Sequence, residues 1–407
     1  MTSIHRRQLL RHAGTTLAVA LVGRPRAALG ATDGAVSGAM RWLATGDIGG
    51  LMLLDVVAGE PAGSTAEGTW LLDTGAESDV VSPEMSARLQ LVGAATRRVA
   101  TPGGATMARS VVLPTLRSEA VVLRTGATAV VLDLAPHRAA AGEPVLGILG
   151  WPTLGAQPWL IDLAAQRWSA GPRADATGGA LLQALPCSAD HALPIVLARL
   201  GDRAPLPLLL DTGFAGALML WGDAAAAIAP GGGTAIAVDD IAGPIRLDAV
   251  LLGALQLGAT AWRDVPALLL ARSPLAAAAG LQRVHGAVGM ALFEGALLAI
   301  DGPSRTASTS AGAAGDPLPG GFGFGLAPRA DGGLQATQVA AGGPAAIAGV
   351  RAGDRLLGVD GQPIVGTSPA LVWARLRGVD AVELGWQRGA RRADVRLQRA
   401  RFFPRVA

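Results

Sequence analysis

The sequence predicts a mainly β chain: two closed β lobes followed by a small α+β domain. Three observations predict it. The 407 residues include 56 Gly and 26 Pro with no collagen period, which implies many turns between short strands. A strand, an Asp-Thr-Gly tripeptide and a second strand occur twice, at matched spacing. The last stretch of the chain then runs through a Gly-rich loop, a strand, a short helix, a Gly-Asp turn and an Asp-Gly turn, the order of a compact α+β module.

The chain opens with His5-Arg6-Arg7-Gln8-Leu9-Leu10-Arg11, a weakly apolar stretch from Ala13 to Gly23, and then Arg24, Arg26 and small residues. The apolar stretch is too short to span a bilayer, and the layout fits a cleavable export leader over residues 1–31 with processing near 28–33. It resembles a twin-arginine signal, which implies a periplasmic or secreted protein with no transmembrane span after processing.

The first lobe, residues 36–172, carries Thr69-Trp70-Leu71-Leu72-Asp73-Thr74-Gly75-Ala76; the second, residues 180–305, carries Leu206-Pro207-Leu208-Leu209-Leu210-Asp211-Thr212-Gly213-Phe214. In both, the aspartate ends an apolar strand and strand-like residues follow, Asp79 to Ser82 and Ala217 to Leu220. Asp211 lies 138 residues after Asp73. The downstream pairs, Gly150 with Gly289 and Asp162 with Asp301, are each separated by 139. Such constant separation over two landmarks means a duplicated domain.

This constellation resembles the aspartic proteases, in their retropepsin-like branch, over about residues 36–305. The resemblance implies a bilobal endopeptidase whose catalytic pair is Asp73 and Asp211, supported by Thr74, Gly75, Thr212 and Gly213. Two carboxyls held together cannot both ionise readily, so they share a proton and activate a water for attack on a peptide carbonyl. The glycines permit a tight approach of the two loops, and the threonines are expected to hydrogen-bond across to the opposite loop. The apolar-apolar-Gly elements, Ile148-Leu149-Gly150 and Ala287-Val288-Gly289, match the family's second signature. Hairpin tips at Thr101–Ala105 and Ala242–Pro244 occupy the place of flaps. Phe214 departs from the family's usual small residue; it either crowds the site or packs on its own lobe. Asp162 and Asp301 are expected to accept backbone hydrogen bonds at strand ends, and Glu77 and Asp79 to be solvated or structural.

Residues 306–319 are small, polar and Pro/Gly-containing, the composition of a linker. Residues 320–400 then resemble a PDZ domain of the bacterial type: Gly320-Gly321-Phe322-Gly323-Phe324-Gly325-Leu326, a strand over Leu334–Val339, Gly343 to Val350, Gly353-Asp354 and Asp360-Gly361. The resemblance implies a carboxylate cradle of backbone N–H groups, in a register of either Gly321–Phe324 or Gly323–Leu326, with a peptide chain end added to the sheet. Leu371, on a helix over about Ser368–Arg377, is expected in the peptide pocket. With no His beyond His285, an apolar C-terminus is the expected ligand.

Charge narrows the partners. All 34 basic residues are Arg, and the overall balance is +3. Residues 32–319 hold 17 Arg and 25 acids, so the body is acidic and nucleic acid is not an expected partner. The single Cys187 excludes an internal disulfide, and the five His show no metal-ligand spacing, so no metal or cofactor is expected. The expected protein is a monomer acting on protein or peptide substrates; the alternative is a non-catalytic peptide-binding scaffold built from degenerate lobes and the PDZ module.

Overall fold

The computed structural model describes residues 36–60, 65–119, 121–171, 182–188, 193–238, 240–276, 280–310, 318 and 320–406. The leader and its processing point lie outside these residues. Among them, four sheets make up the molecule, and no helix is long and apolar enough to cross a membrane.

The first lobe is built on a ten-stranded sheet, the second on an eight-stranded one. Their centres are the same motif twice. In the first, Val145–Leu149 runs parallel to Thr65–Leu72 and antiparallel to Asp79–Val81. In the second, Gly286–Val288 runs parallel to Leu206–Leu210 and antiparallel to Leu218–Trp221. These inserted strands are paired along both edges and packed over on both faces, and Val145–Leu149 is apolar and buried throughout. Gly147 is small for a packing reason: a Cβ there would lie 2.3 Å from the ring of Trp70, itself fully buried. The second sheet also closes on itself through Ile195–Leu200 against Ile245–Leu257.

A six-stranded sheet joins the lobes. Its two middle strands, Pro158–Asp162 and Leu297–Asp301, pair antiparallel with Pro158 opposite Asp301 and Asp162 opposite Leu297. Val36–Ala39 and Arg167–Ala170 extend one side; Thr306–Ser310 and Leu182–Leu185 extend the other. This corrects the linker expected at 306–319. Its first five residues form a strand with Ala307 and Thr309 buried. A small polar composition suits alternate residues of a strand with one face covered as well as it suits a linker. Asp162 and Asp301 each accept a backbone N–H of the turn that follows, from Ala165 at 2.8 Å and Ser304 at 3.0 Å.

The last sheet runs in the order Phe324–Pro328, Leu334–Val339, Arg355–Val359, Ala381–Arg388, Arg391–Gln398. The Pro369–Leu376 helix covers it, capped by the Ser368 side chain on the Leu371 N–H. Val372, Trp373 and Leu376 are buried with Phe322, Phe324 and Leu326. Ala370, Trp373 and Leu376 recur every three residues on the buried side, together with Val372, and Leu371, expected to line the peptide pocket, falls outside that stripe and is 59% exposed. After Ala400 the chain turns back to the second lobe. Phe402 and Phe403 stack at 4.5 Å, and Arg405–Val406 pairs with Leu251 and Leu252 while Arg405 bridges to Asp264.

Candidate active site

Each aspartate sits where its strand ends and the chain turns. Asp73 Oδ1 accepts the N–H groups of Gly75 (2.9 Å) and Ala76 (3.0 Å); Asp211 Oδ1 accepts those of Gly213 (2.9 Å) and Phe214 (3.1 Å). The inserted strands fix the turns from behind. Asp73 N–H donates to Leu149 and Asp211 N–H to Val288, each at 3.0 Å. The glycines ending the second signature pack against the turns: a Cβ on Gly150 would lie 2.4 Å from Ser78 O, and one on Gly289 would lie 2.3 Å from Phe214 O.

The threonines lock the two loops reciprocally. Thr74 N–H donates to Thr212 Oγ1 (2.9 Å) and Thr212 N–H to Thr74 Oγ1 (3.0 Å). The Thr74 hydroxyl donates to Leu210 O at 2.5 Å, the Thr212 hydroxyl to Leu72 O at 3.0 Å. All four groups are buried, so each lobe completes the other's backbone.

This lock brings the carboxyls together within one chain. Each lies on the glycine of the opposite loop. A Cβ on Gly75 would be 2.7 Å from Asp211 Oδ2, and one on Gly213 2.6 Å from Asp73 Oδ2, so no other residue fits at either position. Burial raises the pKa of Asp73, against the pull of the Gly75 and Ala76 N–H groups. Asp211 is raised further, by burial first and then by the negative charge of Asp73. Two carboxyls this close and this buried do not readily ionise together.

Two hairpins meet beside this pair. Gly93–Thr101 and Gly104–Val112 form one, Thr234–Val238 and Ile245–Leu257 the other. Asp240, at the second tip, accepts from the Thr101 hydroxyl (2.6 Å), the Gly103 N–H (3.2 Å) and its own Ala242 N–H (2.9 Å). Val99 and Ile241 from the hairpins pack on the same apolar cluster as Ala76 and Ala215 from the aspartate loops. The hairpins are thus tied tip to tip and share an apolar cluster with both aspartate loops. His137 is half-buried, its pKa lowered by desolvation against the opposing charge of Asp240.

Phe214 packs within its own lobe, its ring against Gly216, where a Cβ would lie 2.5 Å from Cζ. It does not displace Asp211 from Asp73. Asp79 is fully buried rather than solvated: it accepts the Gly150 N–H (2.7 Å) and the Thr153 hydroxyl (2.8 Å), and burial raises its pKa to about 6. It fastens the second signature to the first loop. Asp240 and Asp79 gave no sequence signal, because neither stands in a repeated position; Ala217 occupies the place of Asp79 in the second half.

In the PDZ loop, Gly323 stands at φ +79° and Phe322 is fully buried under the Arg399 guanidinium, 4.6 Å from the ring centroid. Phe324 and Leu326 point into the core, and Gly325 lies against Thr337.

Paired carboxyls on two duplicated loops, beside joined hairpins, define a centre of the aspartic-protease class. Comparison with known proteins agrees: residues 56–153 match the family model described as aspartyl protease, and residues 335–378 match that of the PDZ domain. Among solved structures, the chain is similar to the aspartic proteinase from Irpex lacteus, at 12% identity and a TM-score of 0.42, over 68% of this chain and 97% of that one. None of the curated proteins matches it.

Proposed function

We propose that the protein is an exported aspartic endopeptidase that hydrolyses peptide bonds with a water activated between Asp73 and Asp211, and that its PDZ domain captures substrate or partner C-termini. The observation that carries the reading is the meeting of the two carboxyls within one chain, each lying on the glycine of the opposite loop; burial raises the pKa of both, and the charge of Asp73 raises that of Asp211 further. The ionised member takes a proton from the water as it attacks the scissile carbonyl. The protonated member donates to the carbonyl oxygen, and the amine then leaves with a proton returned from the pair. No metal enters the scheme. The leader sequence supports export, and the pairing of both aspartates within one chain supports action as a monomer.

The scaffold alternative drew on Phe214, which packs on its own lobe and leaves the carboxyl pair intact. Digestion of casein by the purified chain, with and without a statine-type inhibitor, tests the proposal. Inhibitor-sensitive cleavage, abolished by Asp73→Asn and by Asp211→Asn, is expected. Full activity in either variant overturns it.

A further inference from the structure

The PDZ cradle already holds a carboxylate. The turn Gly46-Asp47-Ile48-Gly49, between the Arg41–Ala44 and Gly50–Gly59 strands of the first lobe, inserts the Asp47 side chain into the loop of Gly321–Gly323. Asp47 Oδ2 accepts the Phe322 N–H at 3.0 Å, and the Gly323 N–H also points to the carboxylate. A Cβ on Gly321 would lie 2.4 Å from Oδ2, so the glycine is what lets an acid approach this closely. Arg399 stands 3.5 Å from Oδ1. Three residues earlier, Ala44 is buried in the PDZ core beside Phe322, Phe324 and Trp373. The Arg41–Ala44 strand lies on the Pro369–Leu376 helix, and the Ala135–Ala141 helix touches both that helix and the edge strand Phe324–Pro328. Acid in the N–H cradle, a methyl on the adjoining apolar floor, and lobe 1 against both walls reproduce the contacts of a captured chain end.

We propose that Asp47 is a built-in ligand of the PDZ carboxylate cradle, and that a free peptide C-terminus engages this domain only by displacing it. The proposal rests on the reading of the module as a binder of chain ends. The turn also reaches the other way. Gly49 is packed against the loop that carries Asp211, with no room for a Cβ, which would fall 1.6 Å from Ala215 O. Its N–H donates to Glu294 at 3.2 Å, and Arg377 binds Glu294 together with the carbonyls of Gly46 and Gly49. Displacing Asp47 therefore loosens a strip seated four residues from Asp211, which links tail capture to the catalytic loop.

A tethered ligand competes at high effective concentration, and an external ligand's apparent affinity falls by the fraction of time the cradle is open. The probe is a fluorescein-labelled octapeptide ending in Ala-Val with a free carboxylate, read by anisotropy against the full chain, with its C-terminal amide as control. Asp47→Ala is expected to bind it at least about tenfold more tightly than the unmodified chain, Asp47→Asn to fall between, and the amide to bind neither. In the unmodified chain, saturating peptide is expected to speed hydrogen exchange at the Gly49 amide, a readout that survives if a variant misfolds. Equal affinity of the unmodified chain and both variants, or bound peptide with unchanged Gly49 exchange, overturns the built-in ligand while leaving tail capture standing. No binding by any form at millimolar peptide overturns tail capture and the inference together.

Discussion

Replacing Thr212 with Val keeps the side-chain shape and removes one hydroxyl from the lock between the lobes. That hydroxyl accepts the Thr74 N–H and donates to Leu72 O, so the change leaves one donor and one acceptor unpaired. Thr212 is 0% exposed and Thr74 2%, so water cannot replace the lost partner without opening the lobes. A buried group left unsatisfied costs about 1–3 kcal/mol, so the pair predicts a loss of about 2–6 kcal/mol. Thr212→Ser retains both bonds and gives up only a methyl, about 1 kcal/mol. Urea unfolding of the full chain, followed by tryptophan fluorescence, compares the two variants. Exchange of the Thr74 amide reads the same bond locally and is expected to accelerate about a hundredfold or more in Thr212→Val. Because the lock also aligns Asp73 with Asp211, kcat should fall about a hundredfold in that variant. A Val variant within about 0.5 kcal/mol of the Ser variant, with Thr74 exchange unchanged, would refute the reasoning.

Two further outcomes concern charge and the hairpins. Asp47 and Asp79 both have pKa values raised to about 6 by burial, Asp47 despite the facing Arg399 and Arg377. A carboxyl raised on folding contributes stability that is fully present below its unfolded value and lost as pH rises toward its folded one, so stability should fall by about 3 kcal/mol per group between about pH 4 and 7, read as a falling melting temperature. Asp79→Asn should flatten part of that slope; an unchanged slope counts against the assignment. Asp354 and Asp264, held below the usual carboxylate range with Arg388 and Arg405 beside them, contribute stability that is fully present above about pH 4 and lost only as pH falls further, so they do not mask this window. Asp240→Ala unties the hairpin tips and should raise KM several-fold with kcat less affected, and quicken exchange at Gly103; a KM equal to that of the unmodified chain would show that the tie does not close the site.

What could be read from the chain were features that repeat. Asp73 and Asp211, their threonines and glycines, the second signatures, both hairpin tips, and the turn-capping Asp162 and Asp301 each appear twice at constant spacing, and duplication makes short-range signals mutually supporting. What stayed hidden depends on single long-range meetings. Asp47 sits in a Gly-flanked turn that looks ordinary until Phe322, 275 residues on, is found against it. Asp240 reaches across 139 residues to Thr101. The Thr306–Ser310 strand has too polar a composition to announce itself, and it is a strand because Leu297–Asp301 and Leu182–Leu185 flank it.

The central claim is that Asp73 and Asp211 act as one acid–base unit sharing a single proton. The most direct measurement is kcat/KM for a peptide substrate across pH 2 to 9, since such a pair works only while one member is ionised and the other protonated. A bell-shaped profile that collapses above neutral pH, where the shared proton is lost, is the predicted result. Activity that stays level up to pH 9 would contradict it.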